Sequence, residues 1–216
     1  MIVKEVLLIR HGESQGQTAK SRGLSRKDPI LTDCGLSRKG EKQAISLQSQ
    51  LQHQEFDLIC TSPLTRAMTT CVLGLGKHAQ RGIPFVCHPD LAEIGGSIPE
   101  NIARPVKNVV RDVKRLTGRH AVVDAIDFSN IPAHWPNESN ESFPLSNGES
   151  FKDWLFRRPE RRVAVVCHHN VITRKLLPLA PFPVKNCAPI LCVMLEDASL
   201  QLASERSLNI NMSAGI

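Results

Sequence analysis

Four segments of the chain end in residues that a hydrophobic core rejects unless they have a partner or a task. Arg10-His11-Gly12-Glu13 follows the apolar run Val6–Ile9, and Thr61-Ser62-Pro63-Leu64-Thr65-Arg66 follows Phe56–Cys60. Leu91-Ala92-Glu93-Ile94-Gly95-Gly96 comes after Pro84–Cys87, and His168-His169 after Val163–Cys167. Such a set suits phosphoryl transfer. Arginine forks supply bidentate, charge-assisted donors to phosphoryl oxygens. A helix N-terminus, as expected after Ser62, adds N–H groups and a favourable dipole. A neutral imidazole is a competent nucleophile near neutral pH, and a carboxylic acid can protonate the departing alkoxide. Phosphomonoester hydrolysis is so slow without a catalyst that fixed cations around one nucleophile are what the reaction needs.

Singly, each residue has an ordinary explanation: a surface cation, a hydrogen-bonded core histidine, a helix-capping acid. Arg66 departs from its ordinary reading, because an arginine in the first turn opposes the helix dipole. Cys167, at the end of an apolar run, reads as a packed thiol. Adjacent side chains on a strand point to opposite faces, so Cys167, His168 and His169 do not read as a metal cluster. No metal and no cofactor are expected.

The elements that position these residues are short apolar runs alternating with helical patterns. Val6–Ile9, Phe56–Cys60, Pro84–Cys87 and Val163–Cys167 read as strands, with Ile190–Leu195 as a fifth. Ser62-Pro63 reads as an N-cap and first helical position. Helical spacing places Ala44, Leu47 and Leu51 on one stripe, Leu64, Ala67, Met68 and Cys71 on another, and Val106, Val109, Val110, Val113 and Leu116 on a third that stops at Gly118. Phe151, Trp154 and Leu155 mark a shorter helix limited by Pro159. Alternating buried strands and amphipathic helices give an α/β domain with a mainly parallel sheet, whose ligand crevice lies beyond the carboxyl ends of the strands. Residues 1–216 read as one domain. Residues 124–149, rich in Pro, Asn and Ser, read as a lid or specificity loop.

The composition, 41% hydrophobic and 22% charged, is that of an ordinary soluble domain. Seven cysteines without a C-x-x-C pair point to reduced thiols and a cytoplasmic location. The net charge of +6 favours anionic partners. With no tyrosine and no aromatic residues among the basic clusters, nucleic acid is not expected, nor is a membrane. The expected partner is a phosphorylated small molecule or phosphopeptide. Arg104, Lys107, Arg111 or Lys114 are candidates for a second anionic group on it. Oligomeric state and substrate identity are left open by the sequence.

The R-H-G-E at 10–13 resembles the signature of the histidine phosphatase superfamily, the phosphoglycerate mutase-like proteins. SPLTRAMTT at 62–70, LAEIGG at 91–96 and VAVVCHH at 163–169 resemble its later motifs, in the family's order. The resemblance implies a three-layer α/β/α sandwich with a mixed sheet and no metal requirement. It implies that His11 is the nucleophile, that Arg10, Arg66 and His168 bind the phosphoryl group, and that Glu93 is the general acid and then the base. Gln17, also expected to bind the phosphoryl group, stands where many members have asparagine, and His169, free to crowd the pocket, extend phosphate binding or turn away, stands where glycine is common. Two overlapping stretches, Leu31-Thr32 and Leu36-Ser37, resemble the family's L-T-x-x-G element, and the spacing of Gly40, Gln43 and Ala44 favours the second. The implied activity is phosphomonoester hydrolysis through a phosphohistidine. The alternatives are a phosphoglycerate mutase-type transferase, disfavoured by Glu13 and by the absence of a tryptophan after Ser14, and a non-catalytic binder of a phosphorylated ligand.

Overall fold

In the computed structural model, residues 1–95, 97–136, 150–178 and 183–203 are described. Seven strands form one mixed sheet: β1 (Ile2–Arg10), β2 (Leu58–Thr61), β3 (Phe85–Cys87), β4 (Ile126–Asp127), β5 (Arg162–Cys167), β6 (Pro189–Leu195) and β7 (Leu200–Leu202). Their order is β4-β3-β2-β5-β1-β6-β7. β4, β3, β2, β5 and β1 run parallel, β6 runs antiparallel to β1, and β7 antiparallel to β6. The five expected strands are all present. The short edge strands β4 and β7 were not expected, because two or three residues carry no readable alternation.

Alternation along the strands divides the core between the two faces of the sheet. Val6, Leu8, Leu58, Cys60, Val163 and Val165 face Phe151, Leu155, Val171 and Ile172. Leu7, Ile9, Ile59, Ala164 and Val166 face three helices: α1 (Arg38–Leu51), α2 (Thr65–Ala79) and α3 (Val106–Thr117). The short α4 (His120–Asp124) joins that second layer, while α5 (Phe151–Arg157) and a π-helical turn at Val171–Leu176 cover the first. Buried on both sides, the central strands read as unbroken apolar runs. Gly118 ends α3 in the left-handed conformation, as expected. None of the described helices is long and apolar enough to cross a membrane.

Two local expectations are corrected. Ser62 is not the N-cap of α2. The helix starts at Thr65, and its first N–H is capped from a distance by buried Asp33, which accepts Thr65 N–H at 2.8 Å and Thr65 Oγ1–H at 2.6 Å. A cap supplied from another segment leaves no local signal. The 124–149 segment is not wholly irregular, since it contains β4; residues 137–149 lie outside those described.

Candidate active site

The carboxyl ends of β1, β5 and β2 are neighbours in the sheet, so the residues following them meet. His11 N–H donates to Cys167 O at 3.0 Å and Ser62 N–H to Val166 O at 3.1 Å, extending the ladder by one step beyond each strand. His11 is 4% exposed. Its Nδ1 lies 2.6 Å from Gly12 O, an acceptor only, so Nδ1 carries the proton and Nε2 the lone pair. Nε2 accepts Arg66 Nε–H at 3.2 Å. Burial, then Arg66 and Arg10, drive the imidazole pKa well below 6.5, so the ring stays neutral near neutral pH.

The loop carrying His11 is fixed from three sides. Gly12 N–H donates to Thr70 Oγ1 in α2 at 3.0 Å, and Asn186 Nδ2 donates to His11 O at 2.7 Å. The third contact is with α1. A Cβ on Gly12 would fall 2.5 Å from Gly40 O, and one on Gly40 would fall 2.1 Å from Glu13 O, so two glycines let loop and helix touch backbone to backbone. Glu13 completes this contact. Its N–H donates to Gln43 Oε1, and its carboxylate accepts Ser37 Oγ–H at 2.7 Å and Lys39 Nζ–H at 3.1 Å. Hydrogen bonding by Ser37 first, with Lys39, lowers the Glu13 pKa. The Leu36-Ser37 stretch, with Gly40 and Gln43, is therefore the one that docks on the nucleophile loop.

A cleft of about 280 Å³ opens over this loop. Arg10, His11, Gln17, Arg66 and Glu93 all line it, as does His169. Arg66 is 1% exposed and each guanidinium nitrogen makes one hydrogen bond, leaving one N–H on each terminal nitrogen: Nη1 donates to Glu100 O, Nη2 to Asn101 Oδ1 at 2.8 Å, and Nε to His11 Nε2. Arg10 Nη1 donates to Val184 O at 2.9 Å, and its buried Nε has no partner among the described residues. Glu93 accepts Ile94 N–H at 2.9 Å and Asn170 N–H at 3.4 Å. The amide of Gln17 is shared with Ser14 N–H and the Asn186 side chain.

His168 differs from the other expected site residues. It is fully buried behind His11, ring centroids 5.0 Å apart, and is not part of the cleft lining. Its Nε2 lies 2.8 Å from Ser62 Oγ, and its buried Nδ1 has no partner among the described residues. Burial, then Arg66, His11 and Arg10, lower its pKa well below 6.5. His169 does not turn away: it lines the cleft, with its Nδ1 buried and unpartnered among the described residues.

The cations expected to read a second anion are engaged elsewhere. Arg104 bonds Asp33, Asp112 and Thr65, Arg111 pairs with Asp112, and Lys114 with Asp124; neither they nor Lys107 line the cleft. The third arginine lining the cleft is Arg26, paired with the buried carboxylate of Glu100, which also accepts Ser14 Oγ–H at 2.9 Å. Burial would raise the Glu100 pKa, but Arg66, Arg26 and Ser14 outweigh it and hold the group below the usual carboxylate range. Glu100, Asn101, Arg26 and Asn186 escaped sequence reasoning, since they sit in segments without periodicity and bear no fixed spacing to a strand end. No group of three or more His, Cys, Asp or Glu among the described residues is arranged to hold a metal ion.

The sequence profile of the histidine phosphatase superfamily (branch 1) matches residues 6–190. The 2,3-bisphosphoglycerate-dependent phosphoglycerate mutase of Protochlamydia amoebophila (strain UWE25) is 33% identical over 84 residues, 39% of this chain and 34% of that protein. The chain thus matches about a third of the length of this curated relative. Among solved structures, the alpha-ribazole phosphatase from Shigella flexneri is similar with a TM-score of 0.52 and 24% identity, over 92% of this chain and 94% of that one. Phosphoserine phosphatase from Entamoeba histolytica, solved with 3-phosphoglyceric acid, gives a TM-score of 0.51 and 19% identity, over 93% and 95%. At such identities the likeness is one of fold.

Proposed function

Because the chain belongs to the histidine phosphatase superfamily (branch 1), we propose that it hydrolyses a phosphomonoester by covalent catalysis through His11. The observation that carries the reading is the state of that imidazole: buried, neutral, protonated on Nδ1 by virtue of the Gly12 carbonyl, with its Nε2 lone pair at the floor of an arginine-lined cleft. In the first step Nε2 attacks phosphorus, the P–O ester bond breaks, and the leaving alkoxide takes the proton of the Glu93 carboxylic acid. In the second, Glu93 as carboxylate takes a proton from water as its oxygen attacks phosphorus, and the P–N electron pair returns to Nε2. The Arg66 Nε–H···Nε2 contact holds the lone pair toward the cleft until phosphorus replaces it. Arg66 and Arg10 then face the charge on the phosphoryl oxygens. The orphaned Nε of Arg10, in the cleft lining, supports this role, since buried polar atoms without partners are uncommon unless a ligand supplies one.

The test is turnover of an aryl phosphate by the purified protein. Wild type is expected to release phosphate and His11→Ala to lose that activity by several orders of magnitude; equal rates would remove His11 from the chemistry. The name of the matched Protochlamydia relative favours a second reading, return of the phosphoryl group to another hydroxyl, as in a mutase. Isomerisation of phosphoglycerate without net phosphate release would select it.

A further inference from the structure

Beside the proposed phosphoryl site, the cleft holds a carboxylate that phosphate binding does not call for. Glu100 is 5% exposed and built in rather than incidental. A Cβ on Gly16 would fall 2.2 Å from Glu100 Oε2, so glycine at 16 makes room for it, and Ser14 and Arg26 hold it by hydrogen bonds. Its charge matters because so little positive charge in the cleft is spare. Three guanidinium groups, from Arg10, Arg26 and Arg66, face two carboxylates, Glu93 and Glu100. When Glu93 carries the proton it is to deliver, positive charges exceed negative by two, which a dianionic phosphoryl group already balances. Among the described cations none remains for a second anion: Arg26 is committed to Glu100, and Arg104, Arg111 and Lys114 are paired with aspartates outside the cleft.

We propose that Glu100 makes this site selective for a small, hydroxylated phosphomonoester whose leaving alcohol carries no second anionic group, a polyol or sugar monophosphate by chemical class. The proposal rests on the phosphatase reading and narrows it. Size agrees, since a cleft of about 280 Å³ lies below the roughly 300–1,000 Å³ of sites for drug-sized ligands. Lining chemistry agrees too: Asn101, Asn170 and Glu100 offer hydrogen bonds to hydroxyls, and among the described residues Ile98 is the one aliphatic side chain in the lining. A carboxylate or second phosphate there would meet Glu100 in a partly desolvated setting, where like charges cost most.

Two probes of similar size separate the possibilities: glycerol phosphate, with a neutral leaving group, and phosphoglycerate, with an anionic one. Wild type is expected to favour glycerol phosphate in kcat/KM by about tenfold or more, the effect of one partly screened like charge. Glu100→Gln should shrink that ratio by about tenfold, and Arg26→Ala, which unshields Glu100, should widen it. Binding of both probes to the His11→Ala form, by calorimetry, should show the same preference without any turnover. A wild-type preference for phosphoglycerate, or a ratio unmoved in Glu100→Gln, overturns the proposal. Should Glu100→Gln not fold, an unchanged or narrowed ratio in Arg26→Ala overturns it alone. If the His11→Ala form shows the preference but wild type hydrolyses neither probe, the phosphatase reading falls while the charge selection stands; hydrolysis without preference has the opposite consequence.

Discussion

Gly12→Ala is the perturbation whose size follows most directly from the structure. The added Cβ would lie 2.5 Å from Gly40 O and 3.1 Å from Gly40 C and Cα, where ordinary contact begins at 3.4 Å. All three are backbone atoms of the first turn of α1, so no side chain can swing aside. The clash is relieved only if the nucleophile loop and α1 separate by nearly an ångström between them. Overpacking of this kind costs about 1–3 kcal/mol, which for a chain of this length lowers Tm by roughly 2–12 °C. Catalysis should suffer more, because His11 is the preceding residue and moves with the loop. A displacement of about 1 Å costs on the order of a hundredfold, and if loop and helix share the movement the loss is about tenfold. Gly35→Ala is the control, since its Cβ would meet nothing nearer than Leu116 at 3.5 Å. Thermal unfolding and aryl phosphate turnover, read on both variants, make the comparison. Gly12→Ala matching wild type in both would refute the idea that loop and helix dock through paired glycines.

Further outcomes follow from the buried groups. His88, packed against Phe151 and Trp154, has its pKa lowered by burial to about 4. Its contribution to stability is complete above 6.5 and is lost as pH falls toward 4, by roughly 3 kcal/mol. His88→Phe should flatten Tm against pH over that interval, and an unchanged slope would assign the acid sensitivity elsewhere. His11 and His168 add to the slope with the same sign. The cysteines are all free and buried, and burial pushes Cys71, Cys187 and Cys192 up to about 12. Native protein at pH 7.5 should therefore resist iodoacetamide for hours with activity intact, as mass spectrometry would show. Ser62→Ala removes the hydroxyl 2.8 Å from His168 Nε2. It is expected to cost about 1–3 kcal/mol in unfolding free energy and to raise KM for phosphorylated substrates more than it lowers kcat.

Much of this arrangement was legible in the chain, and the reason is physical. A strand buried on both faces must be apolar throughout, so the polar residues that follow Ile9, Cys60, Cys87 and Cys167 mark the carboxyl edge of the sheet. His11, Arg66 and Glu93 were found that way. Interactions that join distant segments were not. Asp33 caps α2 across 32 positions, Glu100 reaches Ser14 across 86, and Asn186 reaches His11 across 175. Each is a polar residue in an irregular stretch, where neither period nor propensity distinguishes a buried hydrogen bond from a solvated loop. Gly12 belongs with these: the side where a Cβ would stand faces Gly40 of α1, a contact that no local pattern announces.

The most direct measurement of the central claim is capture of the covalent intermediate. Protein mixed with a radiolabelled phosphomonoester and quenched in alkali within milliseconds should carry label that is stable to base and labile to acid, on the peptide containing His11. The His11→Ala form should carry none. Label on a different residue, or rapid hydrolysis by the His11→Ala form, would contradict the account.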